Sequence, residues 1–211
     1  MGKIRLIIMT KSSKFGGYCV AGINTETGEW VRLVSDDENA VGRSLTLQDM
    51  EYKEGKYCNI LDEVEVITKG NESCNLQPEN IIIDTSKYWK KIQSLTINDV
   101  LEEYDTDQVQ YIFGNRYAYV SEEVIDEVGY SLVWIAVENL EIHTEVNDSG
   151  KHKAKASFTY NGIDYEHISV TDPQIYGNEE IQNYEEAILI LSLPAGPYNG
   201  KYYKFIAKVF I

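Results

Sequence analysis

Trp30 and Arg32 stand two residues apart in the run Gly28-Glu29-Trp30-Val31-Arg32-Leu33-Val34-Ser35. Side chains alternate across an extended chain, so Trp30, Arg32 and Val34 share one face, and Val31, Leu33 and Ser35 share the other. An indole beside a guanidinium has a chemical use: the ring stacks a planar base for about 1–3 kcal/mol, and the guanidinium grips a phosphate through two parallel bonds. Tyr18 and a polar corner holding Lys11, Ser12 and Lys14 lie just upstream. These six residues are the candidate site for a ligand that offers flat rings and anionic oxygens. Two plainer readings stay open. A tryptophan at this spacing also suits a core, and Arg32 also suits an ion pair with Glu29 or with an acid of the next loop.

No catalytic set can be assembled from local spacing, whether of the Ser/His/Asp, Cys/His or paired-carboxylate kind. Gly16-Gly17 lacks the GxxxxGK[ST] pattern and joins strands, so it reads as a turn. Cys19, Cys58 and Cys74 form no CxxC pair and read as free thiols. His143, His152 and His167 lack the spacing of a zinc site, and neither a metal nor a cofactor is expected.

The six residues belong to a three-strand meander. Ile4 to Met9 is an apolar run, Tyr18 to Asn24 and Glu29 to Ser35 follow it, and Thr25-Glu26-Thr27-Gly28 supplies the turn between the last two. Leu45 to Met50 reads as a short strand or turn, Asp62 to Thr68 as a half-exposed strand, and Ile81 to Ile83 as a brief apolar run after Pro78. Thr96 can cap a helix over residues 97–103, with Asp99 at the third helical position, and Ser121 to Glu127 reads as a second, weaker helix. From Ser131 the strands resume: Leu132 to Val137, Glu141 to Val146, Lys153 to Tyr160 and Asp164 to Thr171 around the turn Asn161-Gly162, Ala187 to Leu193, and Tyr202 to Ile211.

The order of elements occurs twice, and VRLVSDD at 31–37 echoes HISVTDP at 167–173. The chain is therefore expected to be mainly β with short helices: two tandem, five-stranded Greek-key barrels, since closure removes the edges that so many strands would expose. Residues 1–125 would form the first, with a helical insert, and residues 126–211 the second. A single large sandwich, or a barrel joined to an α+β domain, is the alternative.

Of 211 residues 43% are hydrophobic and 25% charged, values of a globular chain with a real core. Residues 1–57 hold eight basic and eight acidic side chains, so of the 19 basic and 34 acidic residues in the whole chain the remaining 11 and 26 lie in 58–211, with the entire net charge of −15. Any anion site is expected near the N-terminus, and the acidic remainder repels bulk duplex. Asp99 to Asp107 and Glu122 to Glu127 read as solvated faces. Of the sixteen tyrosines, Tyr111, Tyr117 and Tyr119 are expected to pack the linker, and Tyr198, Tyr202 and Tyr203 the final strand. With no signal-like or membrane-spanning run, the expected location is the cytoplasm.

The segments Thr10-Lys11-Ser12, Gly16 to Gly22 and Gly28 to Ser35 resemble the dual OB-containing domain family of prokaryotes, as do Ser131-Leu132-Val133, Ser169 to Pro173, Leu191-Ser192-Leu193 and Tyr203 to Ala207. Leu33 and Lys208 depart from that pattern, standing where a proline and a glycine are common. The resemblance implies two OB barrels, a nucleic-acid or nucleotide ligand, a place in prokaryotic conflict or defence systems, and no established catalytic residue. The expected function is thus non-enzymatic binding of a single strand or nucleotide by Lys11, Ser12, Lys14, Tyr18, Trp30 and Arg32. The alternatives are docking of a basic protein partner by the acidic C-terminal half, and a hydrolase or nuclease whose residues meet only in space.

Overall fold

The computed structural model describes residues 2–14, 16–72, 74–146, 152–175 and 181–211. Phe15, in the corner after the first strand, lies outside them. The chain divides into two compact units, one of residues 1–74 and 78–105, the other of 75–77 and 106–211.

In the first unit, β1 (Gly2–Lys14), β2 (Gly17–Asn24), β3 (Trp30–Val34), β4 (Asp62–Asn71) and β5 (Asn80–Ile83) pair in the ring order β1-β2-β3-β5-β4, and β4 returns to β1. β3 and β5 run parallel, with Arg32 opposite Asn80 and Val34 opposite Ile82; the other pairs are antiparallel. β1 can serve two neighbours because it is long and bent. Its first half pairs with β4 from Gly2 to Ile7, its second half continues along β2 to Lys14, and the register shifts between Ile8 and Thr10. A side chain on Gly22 would meet the Ile7 carbonyl oxygen at 2.0 Å, so the crossing at this bulge admits only glycine. Leu6, Ile8, Val20, Val31, Leu33, Val64, Val66 and Trp89 fill the ring.

β6 (Lys90–Ser94) adds to the first half of β4, and α1 (Ile97–Glu103) follows. Its capping box is formed: the Asp99 N–H donates to Thr96 Oγ1 at 3.2 Å, and the Thr96 N–H donates to Asp99 Oδ2 at 2.7 Å.

The second unit repeats the ring. β8 (Leu132–Val146), β9 (His152–Tyr160), β10 (Ile163–Val170), β11 (Gln182–Ser192) and β13 (Phe205–Phe210) close as β8-β9-β10-β13-β11, again with the third and fifth strands parallel. Asn161 and Gly162, both at positive φ, make the tight turn from β9 to β10. β7 (Tyr119–Ser121) and β12 (Lys201–Tyr203) form a separate two-stranded ribbon. The echo between 31–37 and 167–173 thus falls on equivalent strands, β3 and β10. In each, the acid that follows is tied to the fifth strand or the residues just beyond it: Asp36 accepts from Thr85 Oγ1 at 2.6 Å, and Asp172 from the Val209 N–H at 3.1 Å.

Three expectations need correction. The boundary lies at 105/106 and not at 125/126, because Ile112, Phe113, Val120 and Ile125 are buried in the second core. The segment 121–127 is not a helix; Ser121 is held by the ribbon opposite Lys201, leaving one 3-10 turn at Ile125–Glu127. The closing run 202–211 is two strands, interrupted at Lys204.

Lys208 is buried with its Nζ donating to Asp172 Oδ2 at 2.8 Å and to Gln174 Oε1 at 2.6 Å. Removing one partner of a buried pair strands the other charge, so Asp172→Ala should cost about 3–5 kcal/mol in urea unfolding, whereas an exposed pair is worth under about 1 kcal/mol. In the first barrel, burial raises the pKa of the Asp62 carboxyl, but bonds from Lys91, Tyr52, Asn59 and Ser94 outweigh it and hold the group below the usual carboxylate range. The unfolded carboxyl takes up its proton near pH 4, the folded one only lower, so this stabilisation is present above about pH 4 and lost as pH falls. Acid unfolding of Asp62→Asn should accordingly show a shallower pH dependence than that of the parent.

Candidate functional site

The register places the six sequence-predicted residues on two faces of the first barrel. Lys11 pairs with Val20 and Ser13 with Tyr18, on the face that lines the core; Thr10 pairs with Ala21, Ser12 with Cys19, and Ala21 in turn with Arg32, on the outer face. Lys11 and Tyr18 come together: the ammonium lies 5.4 Å from the ring centroid and donates to the Cys58 carbonyl at 2.8 Å. Tyr18 is held by a pair of main-chain bonds to Leu45, at 2.8 and 3.0 Å.

On the outer face, Ser12 and Arg32 are only 4% and 2% exposed, and Ala21, Ile23 and Val34 around them are buried as well. The Arg32 Nη1 donates to Cys19 Sγ at 3.0 Å, so its guanidinium is turned to a thiol and not to open water. Lys14 is half-buried; burial lowers its pKa, with Cys19, Arg32, Glu72 and Cys74 as the neighbours that act on it. Glu72 accepts from Arg43 Nε at 3.1 Å and from Asn80 Nδ2 at 2.7 Å. Lys14 and Arg32 are therefore brought together in a largely internal network, while Trp30 sits half-buried opposite Ile23 at the start of β3.

The corresponding face of the second barrel is open and of mixed sign, with Glu141, His143, Lys153, Lys155, Glu166 and His167 exposed or half-buried. His143 and His167 lie edge to face at 6.1 Å, and the His152 side chain lies outside the described residues. Among the described residues no group of His, Cys, Asp and Glu is placed to hold a metal ion.

A second constellation is assembled only by the fold. In the ribbon, Tyr203 pairs with Tyr119, Tyr202 with Val120 and Lys201 with Ser121. Alternation turns Tyr202 and Val120 into the core and leaves Tyr119, Tyr203 and Lys201 on the opposite side. Asn199 and Gly200, both at positive φ, fold Tyr198 back against Lys201 through bonds of 2.8 and 3.2 Å. The rings follow one another, Tyr117 to Tyr119 at 6.3 Å, Tyr119 to Tyr203 at 5.9 Å, and Tyr203 to Tyr198 at 6.5 Å. Lys201 Nζ lies 4.0 Å from the Tyr119 ring centroid and the Arg116 guanidinium 5.7 Å from that of Tyr117. Tyr117 and Tyr198, at the two ends, are 57% and 70% exposed. This ladder lies on the connection between the fourth and fifth strands of the second barrel and on the segment that precedes its first strand.

Sequence reasoning assigned these tyrosines to packing, which holds for Tyr202. A clue was present in Asn199-Gly200, the same turn dipeptide as Asn161-Gly162, with a tyrosine and a lysine at its two ends.

The sequence matches the dual OB-containing domain over residues 4–209. The chain belongs to the dual OB-containing domain family. No curated protein matches it. Among solved structures, the Ifi202 HINa domain in complex with a 20-bp double-stranded DNA aligns at 14% identity and a TM-score of 0.37, covering 99% of this chain and 94% of that one. The tetrameric p202 HIN2 aligns at 8% identity and a TM-score of 0.34, covering 100% and 92%. The two barrels of this dual OB-containing protein are defined by its own strand pairing, with the third strand parallel to the fifth in each ring.

Arg32 in this dual OB-containing protein is buried and bonded to Cys19. Arg32→Ala should lower stability by about 2–4 kcal/mol, as deletion of a buried large side chain does. A melting temperature equal to the parent's would show that the guanidinium is not part of the packed structure.

Proposed function

We propose that this protein binds a strand of nucleic acid without catalysing a reaction, and that the tyrosine ladder of its second barrel is where the bases stack. The observation that carries the reading is four successive rings flanked by Lys201 and Arg116. Each exposed ring offers a base about 1–3 kcal/mol, whatever the base, and the two cations meet the phosphates between them. A single strand fits better than a duplex, because paired and stacked bases have no free faces and because a chain of net charge −15 repels a polyanion except where cations gather. The connection between strands four and five is also a place where OB barrels hold oligonucleotides. The first-barrel group of Lys11, Ser12, Lys14, Tyr18, Trp30 and Arg32 would serve a nucleotide only after Arg32 left its bond to Cys19.

In this reading the protein is the recognising part of a larger prokaryotic defence system and works in the cytoplasm. Its three cysteines are free thiols, which suits a reducing compartment. No helix among the described residues is long and apolar enough to cross a membrane.

Fluorescence anisotropy with labelled oligo-dT and oligo-rU tests the site. Tyr119→Ala and Tyr203→Ala should each weaken binding by about 1–3 kcal/mol. Lys201→Ala should reduce the dependence of log K on log salt by about 0.7, the value for one phosphate contact on a single strand. Affinity that is unchanged in both tyrosine variants would remove the ladder as the binding site.

A further inference from the structure

Lys204, the residue that interrupts the closing strands, is 1% exposed. Its main-chain N–H donates to the Ala118 carbonyl at 2.9 Å. Its Nζ donates to the Ile112 carbonyl at 2.6 Å, the Asn115 carbonyl at 2.7 Å and Asn115 Oδ1 at 3.0 Å. An ammonium has three N–H donors and here finds three acceptors. Asn115 Oδ1 also accepts the Tyr117 N–H at 2.9 Å, so the lysine is one residue removed from the first ring of the ladder. From Ile112 to Ala118 the segment that carries Arg116 and Tyr117 is thus attached to a single residue at both ends.

That segment needs an external hold. Phe113 stands at φ 50 and Gly114 at φ 78, and a bulky residue in the left-handed region costs about 1–3 kcal/mol. The bend has little regular main-chain pairing of its own: a Gly114 N–H bond to Tyr111 at 3.2 Å and a long Asn115 N–H bond to Ile112 at 3.5 Å. The Ile112 N–H donates to the Tyr165 hydroxyl at 3.1 Å, which leaves its carbonyl to Lys204.

We propose that Lys204 is a positioning residue for the tyrosine ladder: its ammonium, by holding Ile112 and Asn115, sets Arg116 and Tyr117 for an unpaired base, and loss of its proton releases them. The role assigned to the base rests on the ladder being the binding site; the hold on Tyr117 does not.

Burial pushes the Lys204 ammonium down to about 7. Its neighbours do not titrate in the same range. The Tyr165 ring lies 5.3 Å from Nζ, and burial raises the pKa of that phenol. Tyr130, packed on Phe113 at 5.3 Å, is raised by burial too, and Arg116 stays charged. Among the described residues no carboxylate contributes to the Lys204 shift. A neutral amine keeps two N–H donors and presents a lone pair, so one of the three acceptors loses its donor and faces that pair.

The ligand-free protein labelled with nitrogen-15 provides the first test, read at the Tyr117 amide, whose N–H donates to Asn115 Oδ1. The Tyr117 resonance should titrate with a midpoint near 7 in the parent. In Lys204→Arg, whose guanidinium stays charged, it should be flat over the same range. Oligo-dT binding to the parent should weaken about tenfold between about pH 6 and about pH 8.5, and lose that dependence in Lys204→Met. A Tyr117 resonance that stays still in the parent overturns the proposal with no variant needed. So does a titration that persists in Lys204→Arg. If oligo-dT fails to bind at any pH while Tyr117 titrates, the ladder is not the nucleic-acid site, and the hold of Lys204 on Tyr117 stands.

Discussion

Both barrels depend on the first strand of each ring pairing along two edges. An open five-stranded sheet would leave two rows of unpaired N–H and C=O groups, and a flat strand cannot reach both its neighbours. β1 and β8 meet this constraint in the same way, by length and by a break in register. β1 shifts between Ile8 and Thr10, with Gly22 allowing the close crossing; β8 shifts between Glu138 and Glu141, with Asn139 at positive φ. Once the ring is closed, the parallel pairing of third and fifth strands follows, and the connection between fourth and fifth strands must leave the sheet. In the second barrel that connection carries β12, and the ladder is built on it.

Closure also explains why polar groups are found inside. Asp172, Lys208, Asp62 and Tyr52 are buried, and Ser94 and Lys91 reach Asp62 from the exposed strand β6. Each carboxylate also takes a main-chain donor, Asp172 the Val209 N–H and Asp62 the Asn59 N–H. Lys204 belongs to the same class. Its donors satisfy carbonyls of a turn that lies outside the strands of the second barrel, and the adjacent residues are thereby ordered on the surface.

Much of this was legible in the residues. The turn dipeptide Asn161-Gly162, the Thr96 and Asp99 capping pair, the alternation of Val31 and Leu33 against Arg32, and the Ser/Thr-Asp echo after β3 and β10 all describe local backbone geometry, and each was found where expected. The misreadings share a cause. Ser121 to Glu127 has the composition of a helix start, but pairing with Lys201, 80 residues away, claims its first residue. Residues 106–125 carry no composition shift, and the burial of Ile112, Phe113, Val120 and Ile125 assigns them to the second unit.

The candidate site divides along the same line. Which side chains share a face of a strand is decided by the two-residue period, so the sequence by itself determined that Trp30 and Arg32 point the same way. Whether a face is open to water depends on what the rest of the chain places over it. Only the tertiary structure decided that Arg32 is buried against Cys19 and that Tyr117, Tyr119, Tyr198 and Tyr203, from segments about 80 residues apart, stand ring to ring. Period is a property of neighbouring residues; exposure is a property of the closed barrel.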